Sequence, residues 1–353
     1  MNSKDIAKIV GVSRSTVSRV INNYPDIPQA TREKVLKAIK EYNYYPNASA
    51  RRLAGMKSST LGIFIIDIRD NEKPHHVIEN NEDLLYGNSY FSSFINAFID
   101  QSNKAQYHVL VSTIYSSDEL WKIQSAFYEK RIDGAVIIGS SNADYNKIFE
   151  ITDKDFITVA VDLDMERENT GTVMSVNINN YDGVSDAIDY LIELGHRDIA
   201  VITGDLNKLS GKIRLESFKD ALLRHGLPLN DAFIAYGDFT EHSGYKGMKK
   251  ILASERKPTA VFASNDTMAI GAYRAIEEHG LRIPEDISVM GFDNSYISQY
   301  MSPPLTTVNV SLPEIAKCSI ELLLDSINNK EIKTRQKTVN VQIIKRNSCK
   351  KIV

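Results

Sequence analysis

The segment KDIAKIVGVSRSTVSRVINN, residues 4–23, decides how the chain begins to fold, because apolar residues recur at helical spacing on both sides of a glycine. The first half predicts a short amphipathic helix that ends at Gly11, where a chain reversal needs a permissive backbone. Ser13 can cap a second helix, whose apolar side consists of Val17, Val20 and Ile21. Two short helices joined in this way predict a helix-turn-helix.

The outward side of the second helix is polar and basic, with Arg14, Ser15, Ser18, Arg19 and Asn22. A short helix with such a face suits the major groove of DNA, because arginine can donate two hydrogen bonds to O6 and N7 of guanine. The alternative is that Arg14 and Arg19 are ordinary surface arginines. The pattern favours sequence-specific DNA binding.

A third helix is predicted over residues 30–42, and four residues at helical intervals would close a three-helix core: Val35, Leu36, Ile39 and Tyr42. After Tyr44-Tyr45-Pro46, Asn47 can cap a short segment from Ala48 to Leu53. That segment is too short to be helical alone in water.

From Ser58 onward, short apolar runs alternate with amphipathic stretches. Strands are predicted for LGIFIID, YHVLVST, DGAVIIG, FITVAVD, DIAVITG, AFIAYGD, TAVFAS and ISVMGFD. Helices are expected near residues 91–104, 117–130, 180–194, 211–225, 241–253 and 265–279. Alternating strands and helices imply parallel sheets covered on both faces, and hence an α/β core.

The composition is that of an ordinary globular protein, with 353 residues, 42% of them hydrophobic and 25% charged, which suggests two or three domains. No apolar run is long enough to span a bilayer, and the N-terminus has no signal-peptide core. We therefore expect a cytoplasmic protein with no membrane partner. Cys318 and Cys349 are too few for a disulfide scaffold or a zinc site, and we expect no metal and no cofactor.

Charge is distributed unevenly along the chain. Residues 1–57 hold 11 Lys and Arg against 4 Asp and Glu, whereas the rest holds 31 against 41. The N-terminal module is therefore attracted to phosphate, and the acidic remainder is discouraged from binding nucleic acid.

Together these features resemble the lactose-repressor/galactose-repressor (LacI/GalR) family of bacterial regulators. The N-terminal signature is KDIAKIVGVS and TVSRVINN, followed by TREKV, YYPN and Arg52-Leu53-Ala54-Gly55. Later matches follow in order as Gly195-His196, Ile199-Ala200, NDTMAIG from Asn265, ISVMGFD from Ile287, and Pro304-Leu305-Thr306-Thr307. They cover nearly the whole chain.

The resemblance implies a small all-α helix-turn-helix domain at residues 1–46, a hinge helix and linker at 47–57, and a ligand-binding core at 58–347. The core would resemble periplasmic sugar-binding proteins, with two doubly wound parallel-sheet subdomains. One would hold about residues 58–178 and 310–337, and the other about 179–309 and 338–347. Pro28 stands where many relatives have a capping serine.

The resemblance also assigns residues to DNA. Base edges are assigned to Arg14, Ser15 and Arg19, and phosphates mainly to Thr16, Ser18 and Asn22. Asn47 joins this set, and Leu53 is implied as a wedge that enters the minor groove, with packing on the core as the alternative. The implied partner is a pseudo-palindromic double-stranded operator read by a homodimer. The chain ends at Val353 without the leucine-heptad helix that makes tetramers in some relatives, which favours a dimer.

Five positions match residues that line the ligand cleft of the family: Asp162, Arg214, Phe239, Asn265 and Asp293. An arginine and an aspartate can grip vicinal hydroxyls with charge-assisted hydrogen bonds, and an aromatic ring can stack on the ligand. This set favours a sugar as small-molecule effector, although purine-binding relatives use much the same framework. An ordinary core role for Phe239 stays open, as does the direction in which the effector changes DNA affinity.

Residues 68–90 are a long polar stretch at a strand-to-helix connection, which usually has about two to six residues. His75, His76 and Glu79 would suit a metal ion, but an exposed polar insertion is the preferred interpretation. Because such connections border ligand clefts, the insertion is also a candidate cover for the effector.

An enzyme is the first alternative function. The segment GDLNKLSGK, residues 204–212, imitates a phosphate-binding loop, but its spacing is wrong and Ile213 replaces Ser or Thr. No catalytic motif is evident, and four histidines are interpreted as helix-end or surface residues: His196, His225, His242 and His279. We therefore expect no catalysis. A second alternative is a DNA-bound regulator that answers to a protein partner.

Overall fold

The computed structural model describes residues 1–22, 24–44, 57–68, 89–141, 156–162, 174–329 and 335–352. The chain divides into two compact units, Met1–Ser58 and Ser59–Val353. The described part of the first unit is helical, and the second is built from strands and helices.

The N-terminal unit contains α1 (Ser3–Val10), α2 (Arg14–Ile21) and α3 (Gln29–Glu41). The predicted turn between the first two helices is confirmed, because Gly11 has a left-handed backbone with φ 73°. Ser13 Oγ caps α2 by accepting a hydrogen bond from the Thr16 amide at 3.0 Å. Side chains from all three helices form the core: Ile6, Ala7, Val17, Val20, Val35 and Ala38.

The predicted packing of α3 is partly wrong. Leu36 and Tyr42 are 48% and 42% exposed, and Ala38 instead joins Val35 in the core. Leu36 is about 100° around the helix from Val35, and Tyr42 follows the last helical residue. Pro28 precedes α3 without a side-chain cap.

The described core has twelve strands: β1 (Thr60–Ile68), β2 (His108–Ile114), β3 (Gly134–Ser141), β4 (Thr158–Val161), β5 (Met174–Ile178), β6 (Ile199–Ile202), β7 (Ile234–Ala235), β8 (Ala260–Ala263), β9 (Ser288–Asp293), β10 (Thr306–Asn309), β11 (Gln336–Val339) and β12 (Gln342–Ile344). Its helices are α4 (Ser89–Lys104), α5 (Trp121–Tyr128), α6 (Asn180–Glu193), α7 (Leu209–Arg224), α8 (Glu241–Leu252), α9 (Asp266–Glu278) and α10 (Leu312–Asn328).

All eight predicted apolar runs contain a strand, and each of the six predicted core helices is present. The α-helix predicted at 117–130 begins only at Trp121, because a 3-10 turn occupies Ser117–Glu119. Five elements were not predicted from the sequence: α10, β5, β10, β11 and β12. Each of these strands contains at least one polar residue and only one to three apolar ones, so none forms the continuous apolar run that marks the predicted strands.

The strands form two sheets of the same winding, with orders β11-β5-β4-β3-β1-β2 and β12-β10-β9-β8-β6-β7. All pairs are parallel except β10 with β12. This arrangement confirms the predicted pair of doubly wound sheets.

The chain passes between the sheets after β5, after β10 and after β11. In the first sheet β11 extends to Val339, two residues beyond the approximate boundary of 337 that the resemblance implies. In sheets of this kind, ligands bind at the carboxyl ends of the strands, where the strand order reverses.

Candidate functional site

One cleft of about 480 Å³, including its open mouth, lies at the carboxyl ends of strands from both sheets. All five residues that the sequence predicts for a ligand line it: Asp162, Arg214, Phe239, Asn265 and Asp293. Asp162 follows β4, Asn265 follows β8 and Asp293 ends β9, so each polar group stands where its strand stops. A concave site lined by aromatic and polar side chains is typical of small-molecule binding sites.

Arg214 is the buried cation of this cleft, with only 3% of its surface exposed. Its Nε donates to Asn180 Oδ1 at 2.8 Å, and its Nη1 donates to the Ser264 carbonyl. The guanidinium lies 3.7 Å from the centre of the Phe292 ring, and its Nη1 lies 3.6 Å from Asp293 Oδ1. Arg214 is therefore not the exposed helix residue of the alternative interpretation.

Asp293 faces Arg214 from the end of β9, with a backbone φ of 111°. Burial raises the pKa of Asp293 to about 8, and the charges of Asp266 and Asp162 add to the rise, while Arg214 opposes it. The Asp293 carboxyl group therefore gains or loses its proton near neutral pH. A hydrogen-bond donor from a ligand would favour its charged form.

Asp162 supplies a second carboxyl group, on a backbone with φ 56°. Burial raises its pKa, although Arg214, Ser210 and Lys208 act in the opposite direction. Its Oδ1 atom is buried and has no hydrogen-bond partner among the described residues. An unsatisfied buried oxygen in a cleft is a natural acceptor for a ligand hydroxyl or amine.

Asn265 mainly organises the cleft wall. Its Oδ1 caps α9 by accepting from the Met268 amide at 2.8 Å, and its Nδ2 donates to the Phe239 carbonyl at 3.1 Å. Phe239 has φ 71°, and its ring lies 5.4 Å from Lys208 Nζ. Asn265 thus holds the backbone that presents the aromatic ring.

Six further residues line the cleft and were missed by sequence reasoning: Tyr90, Phe91, Ile138, Gly139, Lys208 and Ser210. Ser210 stands one helical turn before Arg214, and this spacing was an available signal. Tyr90 belongs to the stretch interpreted as an insertion. Burial raises its pKa, and the carboxylates of Asp162 and Asp293 raise it further.

The features that suggested an enzyme have structural roles. A Cβ at residue 204 would overlap the Phe239 ring, and a Cβ at Gly211 would overlap the Asp205 carbonyl, so both glycines have a steric reason. The surface interpretation of His196 was wrong: it is fully buried, 2.9 Å from Thr259 Oγ1 and 3.1 Å from the Lys350 carbonyl. Burial lowers its pKa.

The second candidate site is the outward face of α2. Arg14, Ser15, Ser18 and Arg19 are exposed there, whereas Thr16 and Asn22 are half-buried. Arg14 Nε donates to Ser3 Oγ at 3.0 Å. Arg19 forms an ion pair with Asp26, and its guanidinium lies 5.5 Å from the centre of the Tyr24 ring. The side chains expected to read bases are thus presented together.

Several sequence predictions lie outside the described residues: Asn47, Leu53, the hinge helix, and residues 69–88 with His75, His76 and Glu79. In the described part of the chain, no group of three or more His, Cys, Asp or Glu side chains is arranged to hold a metal ion. None of the described helices is both long and apolar enough to cross a membrane.

Comparisons with known proteins agree with this division of the chain. Residues 3–47 match the description "Bacterial regulatory proteins, lacI family", and residues 188–349 match "Periplasmic binding protein-like domain". The probable HTH-type transcriptional repressor ExuR of Bacillus subtilis (strain 168) is 34% identical over 349 residues, which is 99% of this chain and 98% of that protein.

Two solved structures are similar over almost the full length. The Lac repressor dimer bound to operator and the anti-inducer ONPF is 27% identical, with a TM-score of 0.80 over 98% of both chains. The transcriptional regulator CelR in complex with cellobiose is also 27% identical, with a TM-score of 0.72 over 99% of both chains.

Proposed function

Because the chain belongs to the lacI family of bacterial regulatory proteins, we propose that it is a repressor controlled by a sugar in the cleft between the two sheets. It binds a pseudo-palindromic operator as a homodimer in the cytoplasm, and it is not an enzyme. The residues that line the cleft are the main support for a sugar as the ligand.

The observation that carries the sugar assignment is the combination of Arg214, Asp293 and Asp162 around one aromatic ring. A sugar hydroxyl both donates and accepts hydrogen bonds, so it can bridge a guanidinium and a carboxylate. The buried Oδ1 atom of Asp162 offers an acceptor for a further hydroxyl. The ring of Phe239 can cover the apolar C–H face of a pyranose or furanose. The solved relative that carries cellobiose supports this ligand class.

DNA reading is assigned to the outward face of α2. Arg14, Ser15 and Arg19 contact base edges, and Thr16, Ser18 and Asn22 hold phosphates, together with Asn47. The exposure of the two arginines supports this role, since a side chain must project from the protein surface to contact a base edge in the groove. Leu53 is proposed as the minor-groove wedge of the hinge segment. The solved relative bound to operator supports DNA as the partner.

The effector acts by differential affinity. A ligand changes the affinity for operator only if it binds one arrangement of the two subdomains better than the other, and such coupling is typically about 1–3 kcal/mol. In a homodimer, this change in subdomain arrangement acts on the helix-turn-helix domains of both subunits. The direction of the response follows from which arrangement the ligand prefers.

The test has two stages. Melting of the full chain is first followed with ribose, glucose, cellobiose, glucose 6-phosphate and adenine, and binding sites are selected from a pool of random duplexes. The selected palindrome is then titrated with and without each compound that raises the melting temperature. We expect a sugar to stabilise the protein and to change operator affinity by about 5- to 150-fold.

The matched variants are Asp293→Asn in the cleft and Asp286→Asn on an exposed loop. We expect only the first to lose the ligand response, with operator affinity in the absence of ligand unchanged in both. If adenine alone stabilised the protein, the effector would be a purine and not a sugar. If no palindrome were enriched from the random pool, the proposed sequence-specific DNA binding would be wrong.

A further inference from the structure

The backbone that carries Asp293 is held in an unusual conformation. Asp293 and Asn294 have φ values of 111° and 55°, a region that residues with a side chain rarely adopt. Such a backbone persists only when its surroundings over-determine it. The groups that hold this loop therefore decide where the cleft carboxylate lies.

Asp266, the first residue of α9, holds the loop from behind. Its side chain is fully buried and does not line the cleft among the described residues. Its Oδ2 accepts a hydrogen bond from the Ser295 amide at 2.6 Å, and its Oδ1 accepts one from Thr307 Oγ1 at 2.6 Å. The same Thr307 oxygen lies 3.4 Å from the Asn294 amide, which donates to it. One carboxylate thus fixes both residues that follow Asp293.

The strands leave room for this carboxylate. Thr307 of β10 pairs with Gly291 of β9, and a Cβ atom at Gly291 would overlap Asp266 Oδ1. A glycine in the middle of a strand usually weakens it, so its presence here has a local reason. The hydrogen bonds from Thr307 and Ser295 also oppose the effect of burial, which raises the pKa of Asp266 to about 6.

A second anchor acts on the same loop. Asn294 Oδ1 accepts from Arg346 Nη2 at 2.7 Å, and Asn294 Nδ2 donates to Asn309 Oδ1 at 2.8 Å. Asn309 ends β10, after which the chain passes to α10 and the first sheet. The loop that carries Asp293 is therefore bonded directly to a strand that leads between the subdomains.

We propose that Asp266 is a positioning residue of the effector cleft: through Ser295 and Thr307 it sets the place from which Asp293 faces Arg214. This inference rests on the proposed role of Asp293 in binding the effector. Asp266 does not line the cleft among the described residues, and it acts through Asp293.

The test compares variants of Thr307 and Asp266. Thr307→Val removes the hydroxyl at nearly constant volume, and Thr307→Ser keeps it. Asp266→Asn keeps one acceptor but places an amide against the Ser295 amide. Ser348→Ala is the matched control, since Ser348 is as buried as Thr307. Its Oγ accepts a hydrogen bond from the Thr306 amide at 2.7 Å and donates one to the Val289 carbonyl at 2.6 Å. It bonds the same two strands without touching the loop.

Ligand-free crystal structures give the distance from Asp293 Oδ1 to Arg214 Nη1, which is 3.6 Å in the wild type. Calorimetry with cellobiose and ribose gives the affinity. In Thr307→Val and Asp266→Asn we expect the Asp293 carboxylate to move and affinity to fall about tenfold or more. Thr307→Ser should restore affinity to within about twofold of wild type, and Ser348→Ala should stay there despite a lower melting temperature.

An unmoved Asp293 in Thr307→Val and Asp266→Asn would overturn the inference. Equal weakening by Ser348→Ala would overturn it as well, because a general loosening of β9 and β10 would then suffice. If the wild type bound neither sugar, the sugar assignment would fail, and the ligand-free structures would still decide the positioning role.

Discussion

The ring of Phe239 occupies the space in front of Gly204, so that a Cβ atom at residue 204 would overlap the ring itself. The position of the Phe239 ring in the cleft wall thus depends on Gly204. Gly204 follows β6, whereas Phe239 follows β7. The pair explains why a glycine stands two residues after the end of β6.

Gly204→Ala should displace the Phe239 ring and reduce affinity for the effector. The three nearest atoms to the added Cβ all belong to that ring, so the effect should vanish once the ring is gone. We expect Gly204→Ala to cost about 1–3 kcal/mol of stability in the wild type and almost nothing in a Phe239→Ala background. Urea unfolding of the four proteins measures this coupling. Equal losses in both backgrounds would place the clash elsewhere.

Arg214→Ala should destabilise the fold as well as abolish effector binding. It removes a buried side chain that is bonded to Asn180 and Ser264 and packed on the Phe292 ring, and truncating a large buried side chain to alanine typically costs about 2–5 kcal/mol. Arg214→Lys keeps the charge but loses the contact with the Phe292 ring and the fork of donors, so it should recover stability more than affinity. Urea unfolding and calorimetry separate the two effects. The control is Arg282→Ala, a 72% exposed side chain that pairs with Asp286 and should change neither quantity. Recovery of full affinity by lysine would mean that charge alone suffices.

Stability should fall as the pH rises towards 8. The pKa of Asp293 is raised to about 8 in the folded chain, against about 4 in an unfolded chain. The folded state therefore binds more protons between these values, and its stability is fully present below the lower one and is lost as the pH rises through the higher one. The slope from this group is at most about 1.4 kcal/mol per pH unit.

Asp293→Asn should flatten that dependence, measured as the free energy of unfolding in urea at pH 5, 6, 7 and 8. Asp266, whose pKa is raised to about 6, contributes with the same sign and keeps part of the slope below that pH. The control Asp286→Asn removes a group whose pKa is lowered by hydrogen bonds from Arg282, so it should not flatten the slope. An unchanged slope in Asp293→Asn would show that this carboxyl group stays charged at neutral pH.

Arg19→Ala should weaken operator binding by about 1–3 kcal/mol and relax selectivity at one base pair. Arg19 forms an ion pair with Asp26, and we expect this pair to open or turn when the arginine contacts a base. Fluorescence anisotropy with the selected palindrome and single-base variants measures both quantities. Lys37→Ala, on the exposed side of α3, removes the same charge and should leave base selectivity intact. Uniform weakening across all sequences by Arg19→Ala would instead make Arg19 a phosphate contact.

Pro28→Ser should stabilise α3. The helix begins without a side-chain cap, and a serine there can accept a hydrogen bond from an amide of the first turn. We expect slower exchange of the α3 amides, equivalent to about 0.5–1 kcal/mol, with no change in the α6 amides as an internal reference. Faster exchange would show that the rigidity of proline matters more than the missing cap.

Much of the fold was predictable because its signals are local. Gly11 and Ser13 end and begin helices through contacts within four residues, so the helix-turn-helix could be predicted from one segment. The apolar runs of the core form strands for the same reason, since burial on both faces requires continuous hydrophobic sequence. Asp162 and Asp293 were assigned to a cleft by the family resemblance, and their positions at the ends of such runs agree with that assignment.

Other features depended on contacts between distant residues. The burial of Arg214 follows from its bonds to Asn180 and Ser264, which no spacing along the chain indicates. His196 resembles a helix-end residue locally, but the C-terminal segment covers it at Lys350.

The order of elements, the helix-turn-helix and the polar groups at the strand ends follow from local sequence, because they depend on neighbours within a few residues. The steric fit of Phe239 against Gly204, and the hydrogen bonds from Asp266 to the loop after Asp293, emerge only in the folded chain. Such contacts exist only after folding has brought remote parts of the chain within bonding distance.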